Sequence, residues 1–247
     1  MKSLRGLPIA VSFLTRIPIR HRTEPEMGLA VPWFPVVGLL VGLAVGVSSW
    51  MVASRTNPLL GAACGVTIGL LITGAFHEDG LADVADAFVG GWNQEDRLRI
   101  LKDPRHGTYG VVALVASIGI RIIALGSIPL DKFSVCAATA HCLSRAGSLG
   151  MMLVGKPATS SGLGADYVRG LRRRSASISL VFVIGTSVLL VGPQNATLII
   201  FATFAATTII KFWSERKISG ISGDVLGATQ QVNEILILVL LAVIFTY

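Results

Sequence analysis

Residues 33–52 read WFPVVGLLVGLAVGVSSWMV, twenty residues without a single charge. A helix of that length, at about 1.5 Å per residue, covers the roughly 30 Å hydrocarbon core of a bilayer. Six more stretches read the same way with few or no charges: 59–76, 109–129, 133–154, 175–192, 194–210 and 235–247. The last has only thirteen residues, so it must begin earlier, near Val232, or span only in part. Composition agrees: of 247 residues 52% are hydrophobic and 14% charged, with a mean hydropathy of +0.70, against about 25% charged for a soluble domain. The expectation is an all-α polytopic membrane protein with about six to seven transmembrane helices. No repeat or linker divides the chain, so residues 1–247 are read as a single helical membrane domain without a soluble one.

The sidedness follows from the cations. If every segment crosses, seventeen of the 21 Lys and Arg fall in the N-terminal region and the loops 77–108, 155–174 and 211–234. Two, Arg55 and Lys132, fall in the opposite loops, and Arg121 and Arg145 lie inside segments. Cytoplasmic loops carry the excess of Lys and Arg, which places the N-terminus inside. The net charge of +7 is thereby explained as a topology signal, and nucleic acid is not expected as a partner. Thirteen of the 14 acidic residues, all but Asp131, fall on the same side. At the N-terminus Arg5, Pro8, Arg16 and Pro18 interrupt any signal-peptide core and no cleavage site follows, so that segment is expected to be retained. Leu4, Leu7, Val11 and Leu14 recur at helical spacing, as in a helix lying in the interface. Cys64, Cys136 and Cys142 sit in apolar stretches without metal-ligand spacing and read as packing residues.

The chemistry concentrates in HEDGLADVAD, residues 77–86. On a helix Asp79, Asp83 and Asp86 stand at i, i+4 and i+7 and share one face, where like charges repel unless a cation intervenes. Mg²⁺, which prefers carboxylate and phosphate oxygen, suits that face, although a solvated acidic face has the same spacing. Glu78 points about 100° away and His77 lies nearly opposite. KDPRHGTYG, residues 102–110, sets Lys102 and Arg105 before a Gly-x-x-Gly turn. Such a turn suits an anion, or a membrane-interface anchor with Tyr109. Arg121 and Arg145 are costly inside a span, so each needs an anionic partner, either a buried carboxylate or a substrate. The basic run Arg169, Arg172, Arg173 and Arg174 reads as a topology signal with attraction to anionic lipid. GDVLGA, residues 223–228, adds Asp224 on the aspartate side.

FLTRIP (13–18), HEDGLADVAD, KDPRHGTYG, SRA (144–146) and GDVLGA, in that order, resemble the cobalamin synthase family, the adenosylcobinamide-GDP ribazoletransferases. The departures are Glu78, where an acid is not required, and Ala87, where glycine is common. The resemblance implies a Mg²⁺-dependent transferase in the cell membrane, with its active site toward the cytoplasm. It would join adenosylcobinamide-GDP to α-ribazole or its 5′-phosphate and release GMP. The implied partners are these two substrates, the lipid bilayer and other late enzymes of cobalamin biosynthesis. Asp79, Asp83 and Asp86, helped by Asp224, are expected to hold the metal, and Lys102, Arg105 and Arg145 the diphosphate. Tyr109, Arg121 and Asp224 are further expected substrate contacts, and one of the aspartates, Glu78 or His77 takes the hydroxyl proton. Two other readings compete. A CDP-alcohol phosphotransferase would carry D-x-x-D-G-x-x-A-R, whereas here Asp79-Gly80 is followed by Ala82-Asp83 and no Arg. A cation transporter would place carboxylates near the bilayer midplane, and the first six segments contain none.

Overall fold

The computed structural model describes residues 3–21 and 24–246. In chain order the helices are α1 (Gly6–Leu14), α2 (Met27–Ala30), α3 (Phe34–Ala53), α4 (Pro58–Thr73), α5 (Phe76–Ala85), α6 (Gln94–Ile100), α7 (Thr108–Ser127), α8 (Phe133–Val154), α9 (Leu163–Gly170), α10 (Arg173–Val191), α11 (Pro193–Ile218) and α12 (Gly223–Thr246). Among the described residues there is no strand, only an isolated parallel bridge between Pro157 and Ile221. Proline opens α3, α4 and α11 in the first turn, where its missing N–H is one no helix would use. Asn57 caps α4, its side-chain oxygen accepting from the Leu60 amide at 2.9 Å.

Long helices occupy all seven stretches read from the sequence. Five are long and apolar enough to cross a membrane: Met27–Ala53, α7, α10, α11 and α12. The pair Pro58–Thr73 and Phe76–Gly90, bent by 92° at the break between them, meets the same test only when taken together. Helix α8, with 22 residues, has the length of a span but less hydropathy, because it carries polar groups into the centre of the bundle. His141, Ser144, Arg145 and Ser148 on it are all buried. Helix α3 lies against α8 along Gly38, Gly42 and Gly46, whose missing side chains let its backbone touch the backbone of His141, Ala137 and Ser134. Such four-residue spacing of small residues is how helices associate in lipid, where hydrophobic burial gives little drive.

One expectation changes and another is sharpened. The last segment does not start near Val232: α12 begins at Gly223 and runs 24 residues, about 36 Å. Its first half was illegible as a span because Asp224, Gln230, Gln231, Asn233 and Glu234 make it polar. The last four of these are all buried against the bundle. Helix α1 does form, with Pro8 tolerated in its first turn, but it buries Gly6, Ile9, Ala10 and Leu14 and leaves Leu4 65% exposed. Of the residues at helical spacing Leu14 is buried and Leu7 and Val11 pack partly buried against the core, while Leu4 alone is exposed. Gly6 packs directly on the Leu29 backbone, so the smallest side chain, rather than the largest, selects the inward face.

Candidate active site

Helix α4 ends at Gly74 (φ +66°), and Ala75 (φ +56°) follows, also left-handed. Two consecutive left-handed residues produce the 92° bend, and a non-glycine residue held there stores strain of the order of 1 kcal/mol. Arg16, from FLTRIP, braces the bend: its amide donates to the Ile72 carbonyl at 2.7 Å, and its guanidinium fills the space a Cβ on Gly74 would need. Helix α5 is thereby turned away from α4, in the 77–108 segment read from the sequence as a loop, with one face inward and one toward solvent. Gly80 lets it cross α12 closely, since a Cβ there would lie 2.8 Å from the Asp224 carbonyl.

The inward face feeds a buried ionic network. Arg121 Nη1 lies 2.9 Å from both Glu78 Oε1 and Glu234 Oε1. Glu234 Oε2 accepts from Gln230 at 2.6 Å and faces His141 Nδ1 at 3.1 Å, and Gln231 donates to Glu78 at 3.0 Å. Two arginines and two glutamates sit together at 5% side-chain exposure or less, which is tolerable in a low-dielectric interior only because they compensate one another. Arg145 is 2% exposed and donates to the His141 carbonyl at 2.9 Å, yet among the described residues no carboxylate lies within ion-pair distance of it. Between these groups a void of about 10 Å³ remains, bordered by Glu78, Arg121 and Arg145, each with a buried polar atom that has no hydrogen-bond partner. That is room for one water.

The outward face carries Asp79, with its side chain 65% exposed, and Asp83 at 15%. His106 sits between them, Nε2 at 3.5 Å from Asp79 Oδ1 and Nδ1 at 3.4 Å from Asp83 Oδ1. Asp83 is pushed up to about 6, first by burial and then by the negative charges of Asp79 and Asp224, with His106 opposing. A carboxyl so placed gains from a cation. Among the described residues no three His, Cys, Asp or Glu side chains converge closely enough to hold a metal by themselves. The donor set nonetheless fits Mg²⁺, which commonly takes one or two carboxylates and completes its shell with water and substrate phosphate.

Asp79 stands where two pockets meet. One, of about 70 Å³, is bounded by Asp79, Gly80, Arg145, Ser148, Tyr167 and Asp224. The other, about 430 Å³, is bounded by Phe13, Thr15, Arg16, Phe76, Asp79 and His106. Of the residues singled out in the sequence, Asp79, Asp224, Arg145 and His77 border the first, and Glu78 with Asp79 the second. Arg121 borders neither and is held by the two glutamates. Asp83, Lys102, Arg105 and Tyr109 also border neither; Asp83 is linked to Asp79 through His106, and Arg105 is paired with Asp103 at 2.8 Å. Asp86 is placed differently from its two companions. Its oxygens accept from the Gly107 amide at 2.7 Å and the Gly110 amide at 2.9 Å, so it caps the N-terminus of α7. The Gly-x-x-Gly amides read as anion donors do hold an anion, and it is the protein's own. The helical arc ends there as well, because α5 passes into a π-helical turn, Asp86–Gly90. Reading by residue type missed His106, Arg16, Tyr167 and the role of Glu234. The first two stand inside quoted motifs, FLTRIP and KDPRHGTYG, where arginine beside a proline turn and histidine beside glycine have commoner local explanations.

The sequence profile of the cobalamin-5-phosphate synthase family matches residues 6–242. The adenosylcobinamide-GDP ribazoletransferase of Bradyrhizobium diazoefficiens is 40% identical over 97% of this chain and 94% of its own. The protein of the same name from Ralstonia pickettii is 36% identical over 95% and 93%, and that from Clostridium tetani 30% over 95% and 94%. No solved structure matches. Nearly full-length identity at this level, with the five motifs gathered around α5 and its two pockets, places the chain in the cobalamin-5-phosphate synthase family and makes it a transferase.

Proposed function

We propose that the chain joins adenosylcobinamide-GDP to α-ribazole or its 5′-phosphate in a Mg²⁺-dependent reaction that releases GMP, at the cytoplasmic face of the cell membrane. One observation supports this most: Asp79 stands at the junction of two pockets, so two reactants meeting at one phosphate would meet beside it. Asp79 and Asp83, with Asp224 across the Gly80 crossing, are the residues that would hold Mg²⁺. The bound ion would supply charge neutralisation on the phosphoryl oxygens and on the departing GMP.

The chain's own residues account for the remainder. Arg145, buried without a carboxylate partner, presents its charge to the smaller pocket, where the diphosphate would lie. His106, within ion-pair distance of both aspartates, is placed to hold them or to carry a proton from the attacking ribose hydroxyl. Glu78, paired with Arg121 at 2.9 Å, positions that arginine, and His77 borders the smaller pocket beside Arg145. Tyr167 and Phe13 close the apolar side and exclude water. Alignment of two bulky reactants against fixed charges is the main contribution such a site can make. The test is purified, reconstituted protein incubated with adenosylcobinamide-GDP, α-ribazole and Mg²⁺. GMP and a cobalamin product in equal amounts are expected; well-folded protein that yields neither refutes the assignment.

A further inference from the structure

Away from the aspartates, α8, α10 and α11 enclose a second feature that the reaction does not use. It is a trough of about 400 Å³, in the size range of ligand sites, walled almost entirely by apolar side chains such as Leu153, Val183, Ile184 and Phe204. Gly150 on α8 borders it, and a Cβ there would meet nothing within 4 Å. The trough lies in the half of the bundle nearest the 155–174 loop, because its α8 residues run from Leu143 to Val154 at that helix's loop end.

At that end Leu153 and Val154 are shared with a second pocket of about 250 Å³, which Lys156 and Arg173 border. Both cations are exposed, and among the described residues neither has a carboxylate within ion-pair distance. Of the nearby cations, Lys211, at the trough's other wall, pairs with Glu215 at 2.8 Å, Arg172 lies 3.7 Å from Glu26, and Arg169 bonds the Ser160 carbonyl; Arg174 is exposed but does not border the pocket. An apolar channel that opens, at the membrane surface, onto two unpaired cations has the charge and polarity order of an anionic phospholipid. A second copy of the chain packed in the trough would bury apolar surface but would give Lys156 and Arg173 no counter-charge.

We infer that α8, α10 and α11 form a binding site for one anionic phospholipid, an acyl chain along Gly150 and the phosphate at Lys156 and Arg173. The experiment uses full-length protein, delipidated in neutral detergent, with phosphatidylglycerol, phosphatidylcholine or inorganic phosphate added, and native mass spectrometry to count bound lipid. One phosphatidylglycerol per chain is expected, retained at least fivefold better than phosphatidylcholine, with inorganic phosphate failing to displace it. The double change Lys156→Gln, Arg173→Gln is expected to remove that preference, and Gly150→Leu, which fills the trough, to remove retention. Because neither variant touches the pockets beside Asp79, GMP release in detergent serves as the check that each has folded. Equal retention of the two lipids, displacement by inorganic phosphate, undiminished retention by a folded Gly150→Leu protein, or a dimer in which Gly150→Cys cross-links across copies would each overturn the inference.

Discussion

Asp83 and Asp86 are three residues apart and chemically identical, yet the structure separates their roles. Asp86 is neutralised by two amides, and its loss removes a helix cap. Its replacement by Ala should cost about 0.5–2 kcal/mol of stability. Asp83 has no such compensation, and its carboxyl is raised from 3.8 to about 6. The metal-free fold therefore holds that proton more tightly than the unfolded chain does. The stability this gives is complete below pH 3.8 and is lost as pH rises through 6. Asp83→Asn should thus melt higher than the wild type at pH 7 without Mg²⁺, by thermal shift in detergent, while losing turnover; an unchanged or lower melting point would contradict the electrostatic reading. Arg121 marks the opposite case. Removing it by Arg121→Met takes away the arginine that pairs with both Glu78 and Glu234 and leaves Arg145, which is within ion-pair distance of neither, at a cost of about 3–5 kcal/mol. A large fall in melting temperature is expected, and an unchanged one would mean the network is not ionised. In the sequence Arg121 was legible as a charge that needs a partner, but its partners lie 43 residues before it and 113 after it, beyond any local pattern.

Among the elements, α5 decides the site, and its direction is set by a bend the sequence did not reveal. Gly74 alone could have suggested a helix end, but Ala75 in a left-handed conformation is held by its surroundings, Arg16 among them. The i, i+4 spacing of Asp79 and Asp83 was readable because it needs only a helix. Asp86 left the arc because a π-helical turn begins at it, a register change that no periodicity announces. The crossing of α5 with α12 at Gly80 is the contact to test. Gly80→Val places side-chain atoms where the Asp224 backbone stands, an overpacking of about 1–3 kcal/mol that is relieved only by moving the helices apart. Since misplacement by about 1 Å can cost 10²-fold in rate, turnover should fall about 100-fold while membrane insertion persists. Near-normal turnover would show that Asp224 does not belong with Asp79 and Asp83.

At the scale of the whole molecule, the charge-poor segments foretold the bundle well, since lipid leaves few choices but helices. The exception was the first half of α12, whose buried polar residues lower the very hydropathy that marks a span, whereas α8 was legible at its observed bounds in spite of Arg145. The proposed cytoplasmic placement of the aspartate face rests on the distribution of Lys and Arg. A cysteine introduced at Glu95 should accept a membrane-impermeant thiol reagent only in inverted vesicles, and one at Asp131 only in intact cells; the reverse pattern would turn the molecule over. The central proposal is that Asp79, where the two pockets meet, and Asp83, beside it across His106, hold the cation. The most direct measurement is GMP release by folded, membrane-inserted Asp83→Asn over a wide range of Mg²⁺ concentration. Turnover reduced about 100-fold or more, beyond the usual effect of outer-shell changes, is expected at every concentration, whereas near-normal turnover with an unaltered Mg²⁺ dependence would contradict the claim.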